Sequence, residues 1–150
     1  MRLFPKAHQL PARLSAGMVI LNSGLDMAGA DSETAAGLHG MASGTYPFLG
    51  KHDPVAFVKL LSKAEIAVGA ALLVPVVPSA VAGAALTAFA GGLVGLYLRT
   101  PGMRREGSLR PSQQGIGLVK DVWLLGIGLG LVVEELLDRP ARRGISAFVS

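Results

Sequence analysis

Between Glu65 and Arg99 the chain runs for 33 residues, 66–98, without a charged side chain. Drawn as one α-helix, that stretch would extend about 50 Å, well beyond the roughly 30 Å hydrocarbon core of a bilayer. Its interior carries Pro75-Val76-Val77-Pro78-Ser79. Proline removes an amide donor, clashes with the preceding turn and pushes the residue before it out of helical geometry. A tight helical hairpin is therefore predicted, with one arm over 54–77 and the other over 79–98.

Two weaker apolar segments flank the hairpin, over 11–27 and 117–137. Each holds an uncharged run of 12 residues, 14–25 and 122–133, short of the roughly 20 needed to span alone. They reach that length if their terminal charges lie in the headgroup zone or inside the protein. A surface-lying amphipathic helix is the rival reading, and a signal peptide is a second alternative for the first segment. Composition agrees with a membrane protein: 51% of the chain is apolar and 16% charged, against about 25% charged in an average soluble domain. Disordered chains have the opposite balance. The net charge of +4 is divided into short groups between the apolar runs. That pattern suits anionic headgroups and argues against a nucleic-acid face. The expected architecture is all-α, a single domain over 1–150 forming an integral membrane four-helix up-down bundle, multi-pass in the plasma membrane.

The connection over 28–52 is rich in small residues, and Asp31-Ser32-Glu33-Thr34 can cap one short helix through Leu38 and His39. The stretch 100–115, with Pro101-Gly102 and Arg104-Arg105-Glu106-Gly107, reads as loop. Arg139, Arg142 and Arg143 form a basic tail, and with Arg2, Lys6 and Arg13 they make six positive charges on one side. The opposite side collects up to eight, so the positive-inside rule gives no orientation.

Up-down connectivity gathers one layer of charge. Asn22 and Asp26, then Lys59, Lys63 and Glu65, then Arg99, then Lys120 and Asp121 fall at one end of the bundle, with Tyr97 and Trp123 as belt aromatics at the same depth. The other end carries Arg13, the tip at Pro78, Glu134 and Glu135. A carboxylate at the depth of Glu65 should face the bundle and be paired or protonated, with Arg99 or Lys120 as the expected cross-helix partner. Two readings of the layer stand. It is a salt-bridge and headgroup network that sets helix register, or it lines a site for a polar or redox-active ligand such as a quinone head.

Gly83, Thr87, Gly91 and Gly95 recur every four residues and make a small-residue face, beside a stripe of Ala84, Ala88 and Gly92. The fourth span contributes Gly126, Gly128 and Gly130. Such faces allow close helix packing or a homodimer. A lysine followed by an acid opens both the second and the fourth spans (Lys63 and Glu65, Lys120 and Asp121), a faint internal symmetry. No nucleotide loop, metalloprotease motif or nucleophile elbow is present. The chain has no Cys, which excludes an iron–sulfur cluster and disulfides. His8, His39 and His52 lie outside the spans, so no haem is expected.

Taken together, these residues resemble the DoxX family of small bacterial integral membrane proteins. The likeness covers 11–137. It rests on Asn22-Ser23-Gly24-Leu25 ending the first helix, Glu65 and Gly69 in the second, the Gly/Ala-rich third, and Lys120-Asp121 with Trp123-Leu124-Leu125-Gly126 opening the fourth. Asp26 and Met27 stand where the family often has a lysine. The resemblance implies a four-helix membrane bundle associated with redox physiology, in which relatives organise oxidative-stress complexes or accompany a quinone-linked oxidoreductase. The leading expectation is thus a membrane subunit or scaffold without catalysis of its own, its partners being the bilayer and proteins of a redox complex. The exposed handles would be 28–52 and 104–110. The alternatives are a quinone-linked oxidoreductase component, with Glu65, Lys120 and Asp121 around the headgroup, and a small-solute or lipid transporter.

Overall fold

In the computed structural model residues 4–148 are described, with side chains over 4–138. Arg2 and the side chains of Arg139, Arg142 and Arg143 lie outside the described residues. Helix dominates, and no strand occurs among the described residues. The helices are α1 (Leu10–Ala28), α2 (Ser32–Thr45), α3 (Pro54–Leu73), α4 (Ser79–Arg99), a single turn α5 (Ile116–Val119) and α6 (Asp121–Phe148). Short 3-10 turns precede α1 (Ala7–Gln9) and follow α2 (Pro47–Lys51).

The starts and stops have local causes. Asp31 caps α2, its carboxylate accepting from the Thr34 amide at 2.7 Å, and that bond holds the Asp31 pKa below its ordinary value. Asp53 caps α3 in the same way, accepting from Ala56 at 3.0 Å, and Pro54 opens the helix where its missing amide costs nothing. Helix α3 stops at Leu73, four residues before the end expected at 77. Val74 precedes Pro75 and is extended at φ −79°, ψ 118°, as the proline ring requires. The hairpin link is therefore 74–78. In the loop after α4, Gly102 and Gly107 take φ of 85° and 68°, conformations that a side chain would strain.

Helix α1 packs along α3, and α4 along α6, each pair antiparallel. The contacts are backbone-close. A Cβ on Gly69 would lie 2.8 Å from the Leu21 nitrogen, and one on Gly83 2.9 Å from the Gly128 oxygen. Of the small-residue face expected on α4, Gly83 and Thr87 meet α6, and their counterpart there is Gly128. Gly91 and Gly126 have nothing within 4 Å of a built Cβ, and Gly95 instead leaves room for the Tyr46 hydroxyl. Ala16, Ile20, Leu72, Ala82, Leu86 and Leu131 form a core shared by all four long helices, toward the hairpin end.

Two helical segments, Ser79–Arg99 and Ile116–Asp138, are long and apolar enough to cross a membrane. Four spans were expected. Helix α1 is less apolar, with Arg13, Asn22 and Asp26, and α3 is apolar on average but carries three charges, Lys59, Lys63 and Glu65.

Candidate functional site: a carboxylate beside an apolar cavity

At the end of the bundle opposite the hairpin, α2 lies across α3 and α4. His39 anchors it on the α3 side: its Nε2 is 2.8 Å from the Leu49 carbonyl, and its ring meets Phe57 edge-on at 5.4 Å. Tyr46 anchors it on the α4 side, donating its hydroxyl proton to the Gly92 carbonyl at 2.8 Å. Beneath α2 is a cavity of about 290 Å³, lined by Met27, Met41, Tyr46, Phe57, Phe89, Leu93 and Glu65 among others. That is close to the lower end of the roughly 300–1,000 Å³ range of small-molecule sites. The Tyr46 bond holds the roof of this cavity. Tyr46→Phe should cost about 1 kcal/mol and raise amide exchange over 32–51, while exchange in α1 stays unchanged.

Glu65 is the only ionisable carboxylate on the cavity wall among the described residues. It is 4% exposed, and its Oε2 has no hydrogen-bond partner. The Ser23 side chain of α1 interacts with the same carboxylate, and Asp121 is within electrostatic reach. Ser62, one turn earlier, donates to the Gly24 carbonyl at 2.7 Å and locks α3 against α1 at this depth. The expected cation is not there: among the described residues the Lys and Arg ion pairs are Lys6–Glu134 and Lys6–Asp138, and His8 Nε2 is hydrogen-bonded to Glu134 at 2.7 Å. Arg99 and Lys120 are exposed, as are Lys59 and Lys63, because their stems leave the bundle on its outer faces.

The charge layer thus divides. Glu65 and Asp121 lie within electrostatic reach of each other. Asn22 and Asp26 sit on the outer face of α1, where Asn22 donates to Asp26 at 3.3 Å beside a groove shared with Thr34. Arg99 borders a separate opening with Arg104 and Arg105. Tyr97, expected as a belt aromatic, is buried at 3% exposure and donates to the Leu109 carbonyl at 2.6 Å, whereas Trp123 is exposed. Ser23 and Tyr46 were not expected at the site, Ser23 standing only in the Asn22-Ser23-Gly24-Leu25 motif, for neither belongs to a charged or periodic pattern.

The hairpin end carries a second polar assembly. Arg13 is 1% exposed and donates to the carbonyls of Ala71, Leu72, Val74 and Val77 and to the Ser79 hydroxyl, at 2.8–3.0 Å. Ser79 in turn donates to Gln9 at 2.8 Å, and Gln9 to Glu134 at 2.9 Å. Lys6 bridges Glu134 and Asp138; hydrogen bonds to Asp138 first and Glu134 second hold its ammonium above the ordinary lysine range. These contacts tie the segment before α1 to the hairpin and to α6.

Comparison with family models, with curated proteins and with solved structures gives no match. A neutral quinone carbonyl requires a hydrogen-bond donor. The Tyr46 hydroxyl is committed to Gly92, and no Lys, Arg or His lines the cavity among the described residues. The cavity therefore suits a quinone head poorly while Glu65 is ionised. The described residues also hold no group of three or more His, Asp and Glu placed for a metal ion.

Proposed function

We propose that the chain is a multi-pass protein of the plasma membrane, spanning it with all four long helices, and that it acts as a non-catalytic subunit or scaffold in a redox or oxidative-stress complex. One observation carries the membrane reading: charged and polar side chains are buried beside the apolar core while many large apolar ones are exposed. Arg13, Gln9, Ser62, Glu65, Ser79 and Glu135 are buried, whereas Met18, Val19, Leu60, Trp123 and Leu137 are 61–71% exposed. In water such a surface would be a large uncovered apolar patch; in lipid it is solvated, and Arg13, Gln9, Ser62 and Ser79 are hydrogen-bonded within the bundle. Charges on α1 and α3 are compatible with spanning, since Arg13 and Glu65 face inward and Lys59 and Lys63 lie within three turns of the start of α3 and can snorkel. The redox association comes from the DoxX-like pattern of residues. Support for docking comes from an opening that Gly40, Met41, Gly44 and Thr45 of α2 share with Arg99, Thr100 and Pro101, where the chain enters the loop that carries 104–110.

The absence of Cys makes topology directly testable. Single cysteines at Ser43, Val76 and Ser108 are labelled with a membrane-impermeant maleimide in oriented vesicles. Four spans put Ser43 and Ser108 on one side and Val76 on the other. Labelling of Ser43 together with Val76 would show that α3 does not span and would overturn the four-span reading. For the scaffold role, mild-detergent pull-down should recover a redox or thiol-handling enzyme, and a Gly/Ser replacement of 104–110 should release it. Recovery of no such partner would overturn that role.

A further inference from the structure

We propose that the cavity beneath α2 is a binding site for a small lipophilic cation, an amine or quaternary ammonium, with Glu65 as its counter-ion. Three observations converge on that ligand class. The wall is almost wholly apolar, which selects a hydrophobic body. Its single carboxylate is more than nine-tenths buried, with Oε2 lacking any hydrogen-bond partner. A buried anion is costly unless a cation compensates it, and no basic residue lines the cavity among the described residues.

The remaining wall chemistry is also that of a cation site. Tyr46, Phe57 and Phe89 present aromatic rings, whose faces attract a desolvated ammonium. Met27 and Met41 add flexible, polarisable surface that adapts to different shapes. Asp121 contributes a second negative charge within electrostatic reach of Glu65. A neutral ligand of the same shape would gain the apolar contacts but no ion pair, leaving Glu65 protonated or uncompensated. Charge is therefore the discriminating property. The cavity shares Met41, Tyr46 and Leu49 with the 28–52 connection but takes no residue from 104–110, and cation binding is read on the isolated protein, so failure of the pull-down leaves it standing, and the reverse holds too.

The test uses the full-length protein in detergent and equilibrium dialysis of radiolabelled benzyltrimethylammonium. Neopentylbenzene has the same shape with carbon in place of the charged nitrogen, and serves as competitor at matched concentration in the micelle. Wild-type protein should bind the cation saturably, one per chain. Glu65→Gln should weaken binding by at least about tenfold, the scale for removing one member of a buried charge pair. Lys63→Gln, at an exposed position, should leave it unchanged. Ala88→Phe fills the cavity with Glu65 retained and should abolish binding. Gel filtration and circular dichroism check the fold of each variant. If Glu65→Gln does not fold, the Ala88→Phe and competition arms decide. Absence of saturable wild-type binding, equal binding by a folded Glu65→Gln, or displacement by neopentylbenzene as effective as by unlabelled cation overturns the proposal.

Discussion

Replacing Arg13 by methionine should lower the melting temperature in detergent by roughly 10 °C, on the scale of about 2–4 °C per kcal/mol for a chain of this size. The reason is a complete set of hydrogen bonds. A guanidinium has five N–H donors in a fixed fork, and the Arg13 side chain makes five hydrogen bonds, four to carbonyls of 71–77 and one to Ser79. Helix α3 ends there, and the last carbonyls of any helix lack intrahelical partners. The link that follows contains Pro75 and Pro78, which have no amide proton to offer. Methionine fills much of the same volume and donates nothing. Buried acceptors left dry cost about 1–3 kcal/mol each, and partial relaxation brings the sum to about 3–5 kcal/mol. Lysine, with three donors, should fall between the two. A melting temperature for Arg13→Met within about 2 °C of wild type would mean that water or backbone rearrangement replaces the guanidinium at little cost.

The second large effect separates glycines that look alike. Gly128→Ala should destabilise by about 1–3 kcal/mol, as overpacking of a close contact does. Its Cβ would lie 2.6 Å from the Thr87 Oγ1, 2.8 Å from the Thr87 nitrogen and 3.0 Å from the Gly83 oxygen. Two of these are backbone atoms, so a rotamer change cannot clear the space and α4 must move from α6. Gly126→Ala, two residues away, meets nothing within 4 Å and should be neutral or stabilising by up to about 1 kcal/mol, since alanine is the better helix former. Gly69→Ala and Gly91→Ala should form the same contrast, the first being 2.8 Å from the Leu21 nitrogen and the second open. Chemical denaturation of the four variants measures this. Equal stability of Gly128→Ala and Gly126→Ala would refute backbone-close packing between α4 and α6.

These glycines also mark where sequence reading ends. Spacing of four placed Gly83, Thr87, Gly91 and Gly95 on one face of α4, and that face is present. Which of its members meets a neighbouring helix depends on where the axes cross. They approach near Gly83 and Thr87. Farther along, α2 lies against α4, so Gly95 serves Tyr46 instead. Charge placement divides similarly. Up-down connectivity is enough to put Glu65, Asp121, Arg99 and Lys120 at one end. Helix rotation buries Glu65 within electrostatic reach of Asp121 and turns the two cations outward, and rotation is set by contacts such as Ser62 with Gly24.

The uncharged run over 66–98 and its prolines were sufficient to determine a helical hairpin, because steric exclusion by proline acts on its immediate neighbours and needs no tertiary partner. The α2 cap at Asp31 is local in the same sense. Only the tertiary structure decided that Arg13, which reads as one more headgroup-facing charge, turns inward to terminate that hairpin, and that Glu65 lies without a cation beside an apolar cavity. Both depend on atoms about 40–60 residues apart meeting at a particular depth and rotation. Long-range packing sets that geometry, and the order of residues along a helix does not encode it by itself.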